Sequence, residues 1–288
     1  MFQTFSRRRM AAAVLAVSVA SAAPAAAINL FSADQDVSIG RNAAAQTEQQ
    51  LPMLRDEAVE GYVNAIVRRL AGSAPGPRFG YRARVVNAPD INAFALPGGY
   101  IYVNRGLIEA ARTENELAGV IAHEMAHVAE RHGTEQVTKA YGAQAGVSLL
   151  GQLLGGKDRR LGLGEQLVGS LGVNALFLKF SRSAETEADR VGAQMMSRAG
   201  YDPMGMATFF ELLQSRQRSN PGAVQQFFSS HPAPANRAAT TRALASSLGR
   251  GQGTRVGNLQ AVQARLDRLP AAPRGQGVVR TSQLRRPR

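Results

Sequence analysis

The chain has 288 residues, 44% of them hydrophobic, and a formal net charge of +13. It contains no cysteine, which excludes both a disulfide framework and a lipobox for lipid attachment. The basic balance comes without an aromatic-interleaved binding motif, so nucleic acid is not an expected partner.

At the N-terminus, Arg7-Arg8-Arg9 forms a positive region, Met10 to about Ala20 is a short apolar stretch, and Ala25-Ala26-Ala27 is an A-x-A site. Together they predict a secretory signal peptide over residues 1–27, cleaved after Ala27, and a periplasmic destination. The apolar stretch is short and alanine-rich for a membrane span, so cleavage is expected, with an uncleaved anchor as the alternative. Cleavage would leave 261 residues with a net charge of +10, which suits one domain of moderate size. That domain is expected at 28–249, followed by a basic tail at 250–288. Rich in alanine, glycine and leucine, it should be mainly helical around a small sheet.

The sheet is expected from the short β-like runs Arg82–Asn87 and Ala93–Leu96 and from Tyr100–Val103, which follows a Pro97-Gly98-Gly99 turn. Next, Thr113-Glu114-Asn115-Glu116 reads as a capping box with Thr113 as N-cap. Leu117, Val120, Ile121, Met125 and Val128 continue at helical spacing, and Gly133 is the expected stop. Within this helix lies His123-Glu124-Met125-Ala126-His127, an HExxH motif. Residues i and i+4 differ by about 40° in direction, so both imidazoles face one ion. Glu124 sits about 100° round the helix, where it reaches a metal-bound water rather than the metal. Zinc lowers the pKa of such a water toward ~7, and a carboxylate takes its proton as a carbonyl is attacked.

A third ligand is required. His132 is excluded, because on a continuous helix it would point roughly 140–180° away from the other two, and it reads as a helix-end residue. The extended HExxHxxGxxH pattern also fails, with Glu130 and Gly133 at its glycine and third-histidine positions. Downstream, residues 144–156 and 161–178 are glycine- and leucine-rich, separated by Lys157-Asp158-Arg159-Arg160. They predict a helical hairpin beside the active-site cleft, with a lid or a segment dipping into a membrane surface as alternatives. Glu185 and Asp189 follow at i, i+4 on a second helix that runs through Val191, Met195 and Met196 to Gly200. Periodicity alone favours an exposed acidic face here, and spacing does not separate Glu185 from Glu187 as a ligand.

Asp202-Pro203 starts a further helix through Phe209, Phe210 and Leu213, and another spans about Pro234 to Leu248, ending at Gly249. Between them, His231-Pro232 on its own reads as a turn. Residues 250–288 hold nine arginines against Asp267 alone, a net +8. They read as a solvated, mostly disordered tail with one short helix near Asn258–Arg268. The functional reading of that tail is peripheral contact with an anionic membrane surface.

In combination these pieces resemble the HtpX-like and BepA-like zinc metallopeptidases, relatives of the CAAX prenyl protease and the mitochondrial Oma-type protease. The stretch from Asn92 to Val103 is similar to the family's NAFALPGGYIYV segment. Arg105-Gly106-Leu107-Ile108 follows it, and then the HExxH helix ending in Arg131-His132. Ser181-Arg182 leads into the family's ExxxD, matched by Glu185 and Asp189, and Arg198-Ala199-Gly200-Tyr201-Asp202-Pro203 comes next. Ser230-His231-Pro232 closes the series, with Arg237 six residues after the histidine. The resemblance covers roughly residues 35–245.

It implies an α+β, mainly helical zincin-type fold with a small β-sheet beside the HExxH helix, and one Zn2+ per chain. The implied ligands are His123, His127 and Glu185, which decides between Glu185 and Glu187. Glu124 is the implied general base, and Asp189 stands behind a ligating imidazole. His231 is implied near the metal, as an oxyanion stabiliser or a reversible extra ligand. Asn92, Phe94, Ala95, Gly98, Gly99 and Arg237 are the implied peptide-binding residues, with an extended substrate adding to a sheet edge.

The expected activity is a bacterial envelope endopeptidase that hydrolyses misfolded or stalled envelope proteins. The alternative is a periplasmic chaperone or assembly factor with a repressed peptidase site. A catalytically silent binding module is argued against by the intact ligand set. Too little chain follows Arg237 for the C-terminal tetratricopeptide array of BepA-type relatives, so their outer-membrane assembly role is not carried over.

Overall fold

In a computed structural model of the protein, residues 29–145, 179–232, 236–251, 253 and 255–273 are described. The expected signal peptide, the glycine- and leucine-rich stretch from 146 to 178 and the last residues of the tail lie outside them. Among the described residues no helix is long and apolar enough to cross a membrane.

Three strands form one sheet: β1 (Arg82–Val86), β2 (Ala93–Leu96) and β3 (Tyr100–Asn104), in the order β1-β3-β2. β3 pairs in parallel with β1 and antiparallel with β2, with Ala95 opposite Ile101. Side chains of a strand alternate between faces, and β3 is buried on both. Ile101 and Val103 enter the main core, while Tyr100 and Tyr102 join a smaller cluster with Ile39 and Ala43 of helix α1 (Ala33–Gln50). Ser32 caps α1 through a reciprocal capping box with Gln35. Helix α2 (Glu57–Ala71), capped by Asp56, buries Val63, Ile66 and Val67 in the main core. The sheet therefore lies between α1 on one face and the main core on the other.

After β3 the chain turns through α3 (Arg105–Ala110) into α4 (Glu114–Ala129), the helix that carries the HExxH motif. Thr113 is its N-cap and accepts the Glu116 N–H. The Glu116 carboxylate accepts the N–H of Arg112 at 2.7 Å, so the reciprocal half of the box falls one residue earlier than expected. Every α4 residue except Asn115 is buried, as expected of a helix enclosed on all sides rather than one with a single apolar stripe.

The stop of α4 differs from expectation. The helix ends at Ala129, and Arg131 adopts a left-handed backbone with φ 61°, so Gly133 lies inside the next helix, α5 (His132–Ala145). A left-handed non-glycine residue costs about 1–2 kcal/mol. Asp36 of α1 offsets this by binding the Arg131 guanidinium at 2.5 and 3.1 Å.

Helix α6 (Arg182–Arg198) carries Glu185 and Asp189 and stops at Gly200, φ 82°. Helix α7 (Met204–Ser219) begins after Asp202-Pro203, and α8 (Pro221–Ser230) has proline in its first turn. Helix α9 (Arg237–Leu248) ends at Gly249, φ 78°. α6 and α7 clasp α4 at glycines. A Cβ at Gly192 of α6 would stand 3.1 Å from the Ala122 carbonyl oxygen, and one at Gly119 of α4 would stand 2.8 Å from Met206 Cα.

The short helix expected in the basic tail forms as α10 (Leu259–Leu266), capped by Asn258, and it is docked rather than free. Leu259 and Leu266 are buried in the main core. Arg265 binds Asp56 at 2.7 Å, Gln263 donates to the carbonyls of Ile108 and Ala111, and buried Arg105 donates to those of Leu266 and Pro270. The arginines at 265 and 105 thus tie this segment to the domain, where composition alone marks it as solvated. Leu266→Ala should lower the unfolding free energy by about 2–5 kcal/mol, the usual range for emptying a core leucine site. Urea titration checks this, and an undocked tail would give no change.

Candidate metal centre

The close approach of α4 and α6 sets α6's acidic positions against α4's imidazoles. Glu185, Asp189 and Gly192 repeat at i, i+4, i+7, so the two carboxylates share a face with the glycine that touches α4. His231, at the C-cap of α8, enters from a third direction. One donor atom from each of His123, His127, Glu185 and His231 lies within 4.8 Å of all the others, and all four residues are buried. The Nε2 atoms of His123 and His127 are 3.1 Å apart. Glu185 lies 3.4 Å from His127 Nε2, 3.6 Å from His123 Nε2 and 3.0 Å from His231 Nδ1. Ligands about 2.0–2.1 Å from a tetrahedral centre stand roughly 3.3 Å apart. The measured contacts of 3.0 to 3.6 Å are close to that separation, and the imidazole and carboxylate chemistry fits a divalent transition ion.

Glu124 sits beside this cluster with Oε1 buried, 3.5 Å from His231 Nε2 and otherwise without a hydrogen-bond partner. Burial pushes its carboxyl upward, the direction that suits a general base. Burial likewise lowers His127 and keeps it neutral, the form that ligates metal. For Glu185 burial acts upward, but the imidazoles of His231, His127 and His123 override it and hold the carboxylate ionised. His231 is raised: burial alone would lower it, and the facing carboxylates of Glu124 and Glu185 prevail.

Two chains of hydrogen bonds run outward from the imidazoles. His123 Nδ1 meets Asp189 Oδ1 at 3.0 Å, and Asp189 is gripped by Arg237 at 2.7 and 2.8 Å. Burial would raise Asp189, yet Arg237 and His123 lower it. His127 Nδ1 meets His132 Nδ1 at 2.9 Å, and His132 Nε2 meets Glu187 Oε2 at 3.3 Å. The left-handed turn at Arg131 brings His132 back beneath His127, a placement that a continuous helix would not allow. His132 stands outside the four-residue donor group and meets one of its imidazoles through Nδ1. Phe180 stacks on the His127 ring at 4.0 Å with an interplanar angle of 17°. Neither contact has a sequence signal, because each depends on chain reversals outside the HExxH motif.

The residues expected to hold peptide are arranged differently from the expectation. Arg237 is 2% exposed, with its guanidinium on Asp189 and Glu185 and over the Phe210 ring, where it balances buried carboxylates. The Phe94 side chain stacks on Tyr102 in the smaller core cluster. Gly98 and Gly99, at φ 76° and 102°, form the tight turn before β3, under Val37 of α1 and beside Tyr81. Asn92 is buried too, and only Ala95 of this set is partly open to solvent. β2, where Phe94 and Ala95 lie, is nevertheless an edge of the sheet and packs against α4.

A buried potential metal-binding group built from an HExxH helix and a glutamate on a second helix is the pattern of a metallopeptidase. Residues 57–245 match peptidase family M48, and the chain belongs to that family of metalloendopeptidases. It is 29% identical over 267 residues to the beta-barrel assembly-enhancing protease of Escherichia coli K12, an alignment covering 86% of this chain and 54% of that protein. It is 32% identical over 176 residues to the mitochondrial metalloendopeptidase OMA1 of Schizosaccharomyces pombe, covering 61% and 50%. The metalloprotease LoiP of E. coli is 33% identical over 179 residues, covering 61% and 66%. The chain thus spans about half the length of the first two relatives and two thirds of the third.

Arg237→Met would leave Glu185 and Asp189 buried without their cation. Removing one partner of such a pair typically destabilises by about 3–5 kcal/mol. Urea unfolding with a chelator present, so that bound metal does not mask the loss, should show a shift of that size.

Proposed function

We propose that this protein is a zinc endopeptidase of the bacterial envelope that cleaves misfolded or stalled envelope proteins. The observation that carries this reading is the convergence of His123, His127 and Glu185 on one point with the Glu124 carboxylate beside it. Two imidazoles and a carboxylate close together favour zinc over the harder ions, which prefer all-oxygen sites. When bound, the ion supplies Lewis acidity and lowers the pKa of a water. Glu124 takes the proton of the attacking water and then delivers it to the leaving amine. His231, within 3.5 Å of Glu124, donates to the carbonyl oxygen as negative charge builds on it. Asp189 and Arg237 hold the His123 ring in place and do not touch substrate. The outer edge of β2 accepts the substrate as an added strand, through its backbone at Ala95 and without reading side chains. Such binding suits unfolded chains of varied sequence. The periplasmic location rests on the signal-like residues 1–27, and a relative named as a beta-barrel assembly-enhancing protease fits the same compartment.

His231 favours a second reading. Its Nδ1 lies 3.0 Å from Glu185 Oε1, inside the donor cluster, where a fourth protein ligand would exclude the catalytic water. A peptidase held shut in this way would act as a client-binding chaperone or assembly factor until His231 moves aside.

Comparing wild type with Glu124→Gln on an unfolded client, with metal analysis of both, separates these readings. The protease reading expects one zinc per chain in both proteins. It also expects cleavage by wild type and a loss of at least about 100-fold in the variant, the scale of a lost general base. If both bind zinc, neither cleaves and both suppress client aggregation, the chaperone reading holds. Absence of metal from purified wild type after zinc loading would sink both.

A further inference from the structure

We infer that His132 and Glu187 are positioning residues for the metal centre, fixing the tautomer and orientation of the ligand His127. This rests on the reading of His127 as a ligand. It adds two residues, one on α5 and one on α6, that the HExxH and ExxxD patterns do not include.

The proton placement follows from the contacts in one direction only. For His127 to present a lone pair at Nε2, its proton must sit on Nδ1. The partner of that N–H is His132 Nδ1, 2.9 Å away, which must therefore be the acceptor. The His132 proton is then on Nε2, where it points at Glu187 Oε2, 3.3 Å away. A neutral imidazole has one donor and one acceptor, and both rings use both. The terminal carboxylate makes the outward direction of donation the favourable one. Reversed, the chain would aim an N–H at the ion and leave Glu187 facing a lone pair. His123 has the same arrangement through Asp189 in one step. The two outer carboxylates therefore come from α6 at positions 187 and 189, next to the ligand at 185.

The construction of this second chain is specific. His132 is 3% exposed, although it begins a helix that the sequence marks only as a boundary. It reaches His127 because Arg131 takes the left-handed turn, and Arg131 takes that turn while held by Asp36 of α1. Phe180 stacks on one face of the same His127 ring at 4.0 Å. Glu187 is partly exposed, with a side chain 45% accessible and a looser contact to Arg190 at 3.5 Å, so changing it does not open the core.

The test uses the full chain with His132→Leu, His132→Asn and Glu187→Ala. Asparagine places Oδ1 where the imidazole has Nδ1, so it can accept the His127 N–H, whereas leucine fills similar space without an acceptor. Zinc affinity is read by competition with a chromophoric chelator, and ligand geometry by the visible spectrum of the cobalt(II)-loaded protein. Thermal unfolding of the metal-stripped forms reports on folding independently of the metal. Outer hydrogen-bond partners of metal ligands typically affect affinity by about 10–100-fold. His132→Leu should lose zinc affinity in that range and shift the cobalt spectrum. His132→Asn should recover to within about fivefold of wild type, and Glu187→Ala should fall between them, on the same scale. Wild-type affinity in His132→Leu, or equal losses in the leucine and asparagine variants, would overturn the inference while leaving the metallopeptidase reading intact. Failure of wild type to bind zinc at all would overturn both.

Discussion

The site depends on how closely α6 can approach α4. At Gly192 no side chain separates the helices, and a Cβ there would already stand 3.1 Å from the Ala122 carbonyl oxygen. Ala122 immediately precedes His123, so the point of closest contact lies next to the first imidazole. Asp189 and Glu185, one and two turns before Gly192 on the same face, are then brought within 3.0 to 3.6 Å of the His123 and His127 ring nitrogens. Gly119 against Met206 and Gly205 against Asn115 repeat the device between α4 and α7. Small residues substitute backbone contact for side-chain packing, and interior density leaves little slack for a shift of even one methyl group. Helix α4 is consequently enclosed, and its two HExxH imidazoles are buried.

Rigid burial creates an electrostatic burden. Glu124, Glu185 and Asp189 are three carboxylates buried within one small volume, an arrangement that desolvation strongly opposes. Arg237 is the counterweight: its guanidinium spans Asp189 and Glu185 and lies over the Phe210 ring. Its planar fork suits two carboxylates at once in a way that a lysine ammonium would not. The facing imidazoles contribute the rest, and a bound divalent ion would be the largest positive charge of all. A bound ion would therefore couple to folding, since it and Arg237 would compensate the same buried charges.

Outside the centre the polar contacts join pieces far apart in the chain. Asp36 holds the turn at Arg131, Asp56 caps α2 and also binds Arg265, and Arg105 holds the carbonyls of Leu266 and Pro270. The N-terminal helix and the arginine-rich C-terminal segment thus serve the domain as braces. Composition classed the latter as solvated because arginine and glutamine dominate it. What the composition hides is that Leu259 and Leu266, at the two ends of the helix, enter the main core, with Val256, Val262 and Leu269 packed against it.

Local patterns in the sequence determined a good part of this. The i, i+4 spacing of His123 and His127, the Thr113 cap, the strand-turn-strand run from Ala93 and the glycine stops at 200 and 249 are short-range signals, set by backbone geometry within a few residues. The resemblance to a peptidase family chose Glu185 over Glu187, which spacing could not do. Tertiary structure alone decided what those residues face. It set the Arg237 guanidinium against two buried carboxylates, stacked the Phe94 ring on Tyr102, and put Gly98 under α1 and Gly99 beside Tyr81. It also ended α4 at Ala129, so that His132, excluded as a ligand by helical angle, returned as the partner of one. The reason is the same in each case. Side-chain direction along one helix follows from the sequence, but the partner across a helix contact or beyond a left-handed turn depends on chain segments tens of residues away.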